Sequence, residues 1–159
     1  MRATGSPVMD SQADFRRARR AQLAARIGRW LVRRSQSGHL PALDRSTSLG
    51  GGAARLQVVS LGSIVGTLDP TPLFDARFRP ASEAVRYRWE RIALAYRRGQ
   101  ALPPIVLSAR PEGYYVVDGR HRVSVARALG LEDIDGLVTE ARQRRSTDQD
   151  LAPPPSAGS

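Results

Sequence analysis

The chain predicts an α/β (α+β) domain, a small mixed sheet with flanking helices, preceded by an arginine-rich N-terminal helix. Three observations predict it. Val85, Trp89, Ile92 and Tyr96 recur at the spacing of one helical face. Ile105–Ser108 and Tyr114–Val117 are short apolar runs joined by Arg110-Pro111-Glu112-Gly113, which reads as a hairpin. The 159 residues are 41% hydrophobic, enough for one modest core.

Each element follows in chain order. Residues 1–37 form an N-terminal helical segment. Within it, 1–9 read as loose and 10–36 as a helix. Phe15, Leu23, Ile27, Trp30 and Leu31 fall close to helical spacing, and arginines fill the other sides. Ser37-Gly38 and Pro41 end it. Residues 38–53, with Gly50-Gly51-Gly52, read as a linker. The compact domain spans 54–141. Arg55 to Val59 is a β-branched run and reads as a strand, with Leu61, Ile64 and Val65 following as a turn packed on the core. Residues 69–81 hold Pro70, Pro72 and Pro80 and form no regular helix. Ser82 to Arg98 is the clearest helix, with Trp89 and Tyr96 in the core. Gly99 stops it, and Arg97 and Arg98 lie in the last turn, where the dipole favours cations. The hairpin follows Pro103-Pro104. A short helix from Arg120 to Leu129 ends at Gly130, and Ile134 to Glu140 is the last strand. Residues 142–159, with Pro153-Pro154-Pro155, have no apolar period and read as a disordered tail.

Composition removes several function classes. The absence of cysteine excludes disulfides, thiolate metal sites and a cysteine nucleophile. No run approaches the ~20 apolar residues of a membrane span, and no signal peptide opens the chain, so the expectation is a cytoplasmic protein without a membrane partner. The net charge of +10 is unevenly placed. Residues 1–48 hold 10 arginines against 3 acids, 49–141 hold 12 against 10, and the remainder holds 3 against 2. All 25 basic residues are arginine, as GC-rich coding produces. Arginine still binds phosphate in a fork that lysine cannot copy. Arg16, Arg17, Arg19, Arg20 and Arg26 crowd one segment with Arg29, Arg33 and Arg34. Such a patch binds nucleic-acid phosphates without reading bases. The alternative is a solvated face whose apolar stripe packs on the domain or on a second subunit, as in a homodimer.

The junction Asp118-Gly119-Arg120-His121-Arg122 carries the chemistry. It links the second hairpin strand to the short helix. A helix N-terminus offers free backbone N–H groups and a positive dipole end. Gly119 lets the backbone turn sharply. Arg120, His121 and Arg122 add donors in the same turn, where cations oppose the dipole unless an anion sits between them. Val125, Ala126 and Leu129 can face the core, while Arg120, Ser124 and Arg127 share the other side. The alternative reading makes Asp118 the N-cap and the arginines solvated surface charges. Asp118 would repel a bare phosphate, and it makes more sense on a metal bound to that phosphate or as a proton acceptor.

Leu102-Pro103-Pro104-Ile105-Val106-Leu107 and the run from Tyr114 through Asp118-Gly119-Arg120-His121-Arg122-Val123-Ser124-Val125-Ala126 to Gly130 resemble the ParB/sulfiredoxin superfamily. The likeness is nearest to ParB-like proteins without a helix-turn-helix domain. Phe78-Arg79-Pro80 and Arg88-Trp89-Glu90-Arg91-Ile92 fit the same pattern, so the resemblance spans roughly 54–141. It implies a nucleotide phosphate held by Gly119, Arg120, His121, Arg122 and Ser124, the nucleotide being CTP, ATP or ADP, with Mg as a candidate companion. It also implies kinship with chromosome and plasmid partition proteins, and the N-terminal arginines are a separate candidate for DNA association.

The departures are informative. Sulfiredoxin-like members carry a cysteine where Arg120 stands, so sulfinic-acid reduction is not expected. The partition proteins' G-E-R-R-x-R-A box is matched at Gly119 and Arg122, but Arg120, His121 and Ser124 differ from it. The 18 residues after Ala141 are unfit for a helix-turn-helix. Free-serine kinases share the D-G-x-H-R turn, in which Asp118 and His121 would serve phosphoryl transfer. They also need a glutamate near the end of the first strand, and the acids between Arg55 and Ser82 are Asp69 and Asp75 alone. The sequence therefore favours a nucleotide-binding module, with a small-molecule kinase as the alternative.

Overall fold

The computed structural model describes residues 5–32, 40–43 and 53–140, with the backbone alone for 28–32. Trp30 and Leu31 as side chains, the helix beyond Val32, the glycine run and the tail lie outside the described residues.

Five strands form one mixed sheet: β1 (Arg55–Ser60), β2 (Ile64–Thr67), β3 (Ile105–Arg110), β4 (Gly113–Asp118) and β5 (Asp133–Glu140), in the order β1-β5-β3-β4-β2. β1/β5 and β3/β4 are antiparallel, whereas β3/β5 and β2/β4 are parallel. Three helices accompany it: α1 (Pro7–Val32), α2 (Arg86–Arg97) and α3 (Arg120–Leu129). The fold is thus the mixed α/β class that the sequence predicts.

The hairpin and α3 form where the residue pattern puts them. α3 ends at Gly130 in the left-handed conformation that glycine adopts without penalty. α2 starts later than expected. Ser82 caps a single 3-10 turn, Glu83–Val85, by accepting from the Ala84 N–H, and the α-helix follows at Arg86. Its buried face keeps Val85 and Trp89 and adds Ala93, with Ile92 and Tyr96 partly buried.

Three local expectations are corrected. The stretch Leu61–Val65 is not a turn alone: Leu61–Ser63 is a 3-10 turn, and Ile64 opens β2. Four residues with a glycine among them carry too little periodicity to announce a strand. Part of the stretch read as a linker belongs to the sheet edge. Leu40 is buried, the Thr67 N–H donates to the Pro41 carbonyl (2.9 Å), and the Leu43 N–H donates to the Thr67 carbonyl (3.0 Å). This strip passes so close to Gly66 that a Cβ there would lie 2.4 Å from the Pro41 carbonyl oxygen. Finally, α1 begins at Pro7 inside the region read as loose, since proline fits the first helical position.

The largest correction concerns the face α1 buries. Phe15 is buried as expected, but Leu23 is 42% and Ile27 61% exposed. Among the described side chains of α1 the buried ones are Asp10, Ser11, Asp14, Phe15, Ala18 and Gln22. A polar stripe points inward because α2 presents a cation to it. Arg97 Nε donates to Asp14 Oδ2 at 2.8 Å, its Nη2 to the same oxygen, and Asp10 lies 3.9 Å from Nη1. Phe15 meets Trp89 edge-on at 5.5 Å. The N-terminal helix is therefore seated on α2 by an ion pair and one aromatic contact.

The loop of 69–81 forms no helix, as its prolines require. Asp75, itself buried, organises it by accepting from the Arg77 and Arg79 N–H groups and from Arg79 Nε at 2.8–3.0 Å. Phe78 takes φ 60 inside this turn, a costly conformation for a bulky residue, and its ring is fully buried.

Arg97→Ala would leave the buried Asp14 carboxylate with the largely exposed Arg17, 3.4 Å away, as its cation. Loss of one partner of a buried pair costs about 3–5 kcal/mol. Urea denaturation should show a fall of that order.

Candidate functional site

Geometry at the β4–α3 junction begins with Gly119. It sits at φ 105, in the left-handed region, and a Cβ there would lie 2.5 Å from Ile105 Cγ2. Both conditions demand glycine. Gly119, not Asp118, occupies the N-cap position, and α3 has no side-chain cap. The first-turn N–H groups of α3 are thus left without a capping side chain.

The predicted site residues then take different roles. Arg122 braces the turn. Its Nη1 donates to the carbonyls of Pro103 and Pro104, the latter at 2.8 Å, and its Nη2 reaches Asp118 Oδ2 at 2.7 Å. Asp118 is otherwise largely exposed. Ser124 is not on an outer side but buried, and its Oγ accepts from Trp89 Nε1–H at 2.9 Å. Arg120 is half-buried, with Nη1 3.5 Å from the Asp69 carbonyl. Arg127 donates to the carbonyls of Leu61 and Ile64, both at 2.8 Å, and lies over the Phe78 ring.

His121 packs edge-on against Phe74 at 5.1 Å. Its pKa is lowered from 6.5 to about 4, first by burial and then by the charges of Arg88 and Arg120, against a smaller opposing pull from Asp118. It is a neutral imidazole at neutral pH. Asp118, Gly119 and Arg122 thus come together, while His121 turns to Phe74 of the 69–81 loop and Ser124 into the helix packing.

Sequence reasoning missed the residues beside this turn. A cleft of about 730 Å³ runs from Arg122 along the outer face of α2 to the 100–103 loop. Arg88, Arg91 and Arg98 line it with Arg122, and none of its lining residues is a carboxylate. Arg88, Arg91 and Arg98 make no ion pair among the described residues; Arg91 lies over the Tyr87 ring at 5.6 Å. The signal was present as a helical stripe at 88, 91, 95 and 98, opposite the Trp89 face. No group of three or more potential metal ligands occurs among the described residues.

On α1, Arg16, Arg17, Arg20 and Arg26 are exposed, with Arg17 3.4 Å from Asp14. Arg19 is turned toward the domain. It donates to Gln22 Oε1 at 2.7 Å and approaches Glu83 at 3.6 Å. No helix among the described residues is long and apolar enough to cross a membrane.

No family model matches the chain, and no curated protein matches it. Among solved structures it is similar to sulfiredoxin from Arabidopsis thaliana, at 21% identity and a TM-score of 0.40, over 54% of this chain and 85% of that one. At that score the likeness assigns no residue a role.

The His121 shift has a sign. The unfolded chain takes up a proton near pH 6.5, whereas the folded chain resists until about pH 4. Stability from this group is present above 6.5 and is lost as pH falls toward 4. An NMR titration should place the imidazole near 4, and His121→Phe should flatten the pH dependence of denaturation in that window.

Proposed function

We propose that the chain is a ParB-like nucleotide-binding module, which takes the phosphates of its ligand in the cleft between α2 and the first turn of α3. One observation carries the reading. Four arginines from two helices converge on a single cleft without a lining carboxylate. Arg88, Arg91 and Arg98 have no ion pair among the described residues, whereas Arg122 is paired with Asp118; the three give the cleft a positive field, and arginine forks suit phosphate oxygens. The volume lies in the range of small-molecule sites. Ile92, Leu94, Ala95, Leu102 and Pro103 supply the apolar wall that a base needs.

In this reading the Gly119 turn positions Arg122, and Arg88 and Arg91 make the first phosphate contacts. CTP, ATP and ADP, each with and without Mg, form the test panel. A nucleotide that binds the folded chain raises its melting temperature, by about 2.7 kcal/mol of stabilisation at a hundredfold excess over Kd. The expected outcome is a rise with at least one nucleotide, lost in the Arg88→Ala/Arg91→Ala variant. No rise with any of them, or a rise that the variant keeps, would sink the reading.

Exposed Arg16, Arg20 and Arg26 favour a second activity, association with nucleic acid irrespective of sequence. Three phosphate contacts give a slope of roughly −2.7 in log affinity against log salt. Fluorescence anisotropy with a DNA duplex should show that slope, and the triple alanine variant should lose it.

A further inference from the structure

The two edges of the sheet are treated differently. β2, at one edge, is four residues long, and its register with β4 shifts between Ile64 and Gly66. The strip at 40–43 covers it, bonded to both main-chain groups of Thr67. β1, at the other edge, pairs with β5 from Arg55 to Ser60 with no shift. No described residue pairs with its outer side. A bare edge is a template for another strand, and proteins blunt such edges with proline, charge, a bulge or a cover. From Leu56 to Ser60 there is no proline, bulge or charged residue.

The ladder decides which groups point outward. The Leu61 N–H donates to the Glu132 carbonyl at 2.8 Å, one step beyond the Ser60–Asp133 pair. Bonded and non-bonded pairs alternate in an antiparallel ladder. Arg55, Gln57 and Val59 therefore turn their main-chain groups to β5, and Leu56 and Val58 turn theirs outward. The same two residues carry the most exposed aliphatic side chains of the described residues, at 68% and 69%. Unpaired main-chain groups and bare aliphatic side chains thus share one strip.

We infer that this strip is a pairing edge for a second copy of the chain. A strand that meets its own copy in a closed dimer runs antiparallel to it about a two-fold axis. With Gln57 on that axis, Leu56 faces the partner's Val58, and Val58 faces the partner's Leu56. Every outward N–H and carbonyl of the two residues then finds its complement, and the aliphatic side chains pack across the junction. Charge selects the same orientation. Arg55 stands at one end of the strip, and Glu132 and Asp133 stand at the other. All three are exposed and make no ion pair among the described residues. Antiparallel pairing brings Arg55 toward the acidic end of the other copy, whereas parallel pairing would set like charges together. The two five-stranded sheets become one continuous sheet. The junction uses no residue of the α2 cleft and does not depend on nucleotide binding there.

A junction one strand long is small beside the roughly 1,600 Å² of a standard interface, so the dimer is expected in the micromolar to millimolar range. Sedimentation equilibrium of the full chain over that range should show monomer and dimer in exchange. Val58→Pro removes an N–H that β5 does not use, so the melting temperature should hold while the dimer is lost. Val58→Lys keeps the backbone intact. It should raise the dissociation constant about tenfold, because each copy loses an aliphatic contact across the junction and gains a charge. The chain has no cysteine, so one introduced thiol reports the geometry cleanly. Gln57→Cys sets two thiols across the axis in a non-hydrogen-bonded pair, whose Cα separation of about 4.5 Å suits a disulfide. Oxidation should convert that variant to a covalent dimer, and Leu23→Cys, on the exposed face of α1, should stay monomeric. A chain that remains monomeric at roughly 1 mM, a dimer that both Val58 variants keep, or cross-linking through Leu23→Cys but not Gln57→Cys would each overturn the assignment.

Discussion

Trp89 is fully buried where the three helices meet. Its indole N–H donates to Ser124 on α3, and its ring takes the edge of Phe15 from α1. A buried indole needs a partner for its N–H, and the one hydroxyl in the middle of α3 supplies it. That bond sets how α2 and α3 lie against each other. The placement of Arg88 and Arg91 relative to Arg122 follows, because they flank Trp89 on α2 while Arg122 stands half a turn before Ser124. The cleft along α2 is thus a consequence of core packing.

Charge is handled in two ways in this small domain. Three arginines that tie elements together are compensated: Arg97 by Asp14, Arg79 by Asp75, Arg127 by two carbonyls. Buried pairs of this kind hold the elements in one arrangement more than they add stability. Along the α2 cleft Arg88, Arg91 and Arg98 have no carboxylate partner among the described residues. The contrast separates structural from available cations, and arginine counts alone could not draw it.

The turn at Gly119 shows the same economy of roles. The sequence makes Arg122 a ligand donor, but its fork is engaged with Pro103, Pro104 and Asp118. It ties the start of β3 to the start of α3, across the two strands of the hairpin. His121 and Ser124 share the motif with it but serve the interior, one against Phe74 and the other under Trp89. A motif written in consecutive residues therefore points in three directions, as the rotation of a helix demands.

The amino-acid sequence by itself determined the class of fold, the hairpin, α2 with its Trp89 face, and α3 between Gly119 and Gly130. These depend on local periodicity and on glycine conformations, which neighbouring residues set. It also marked Gly119 as a position where the backbone turns sharply. The tertiary structure decided what lies far apart in the chain. β2 is too short to show a period and exists through its pairing with β4. The inward face of α1 is polar because Arg97, 83 residues away, waits for Asp14. An apolar count turns that helix the wrong way, toward Leu23 and Ile27. The arginine stripe of α2 was legible as spacing, but only packing placed it beside Arg122. Charge compensation acts through space, and its partners are not neighbours in sequence.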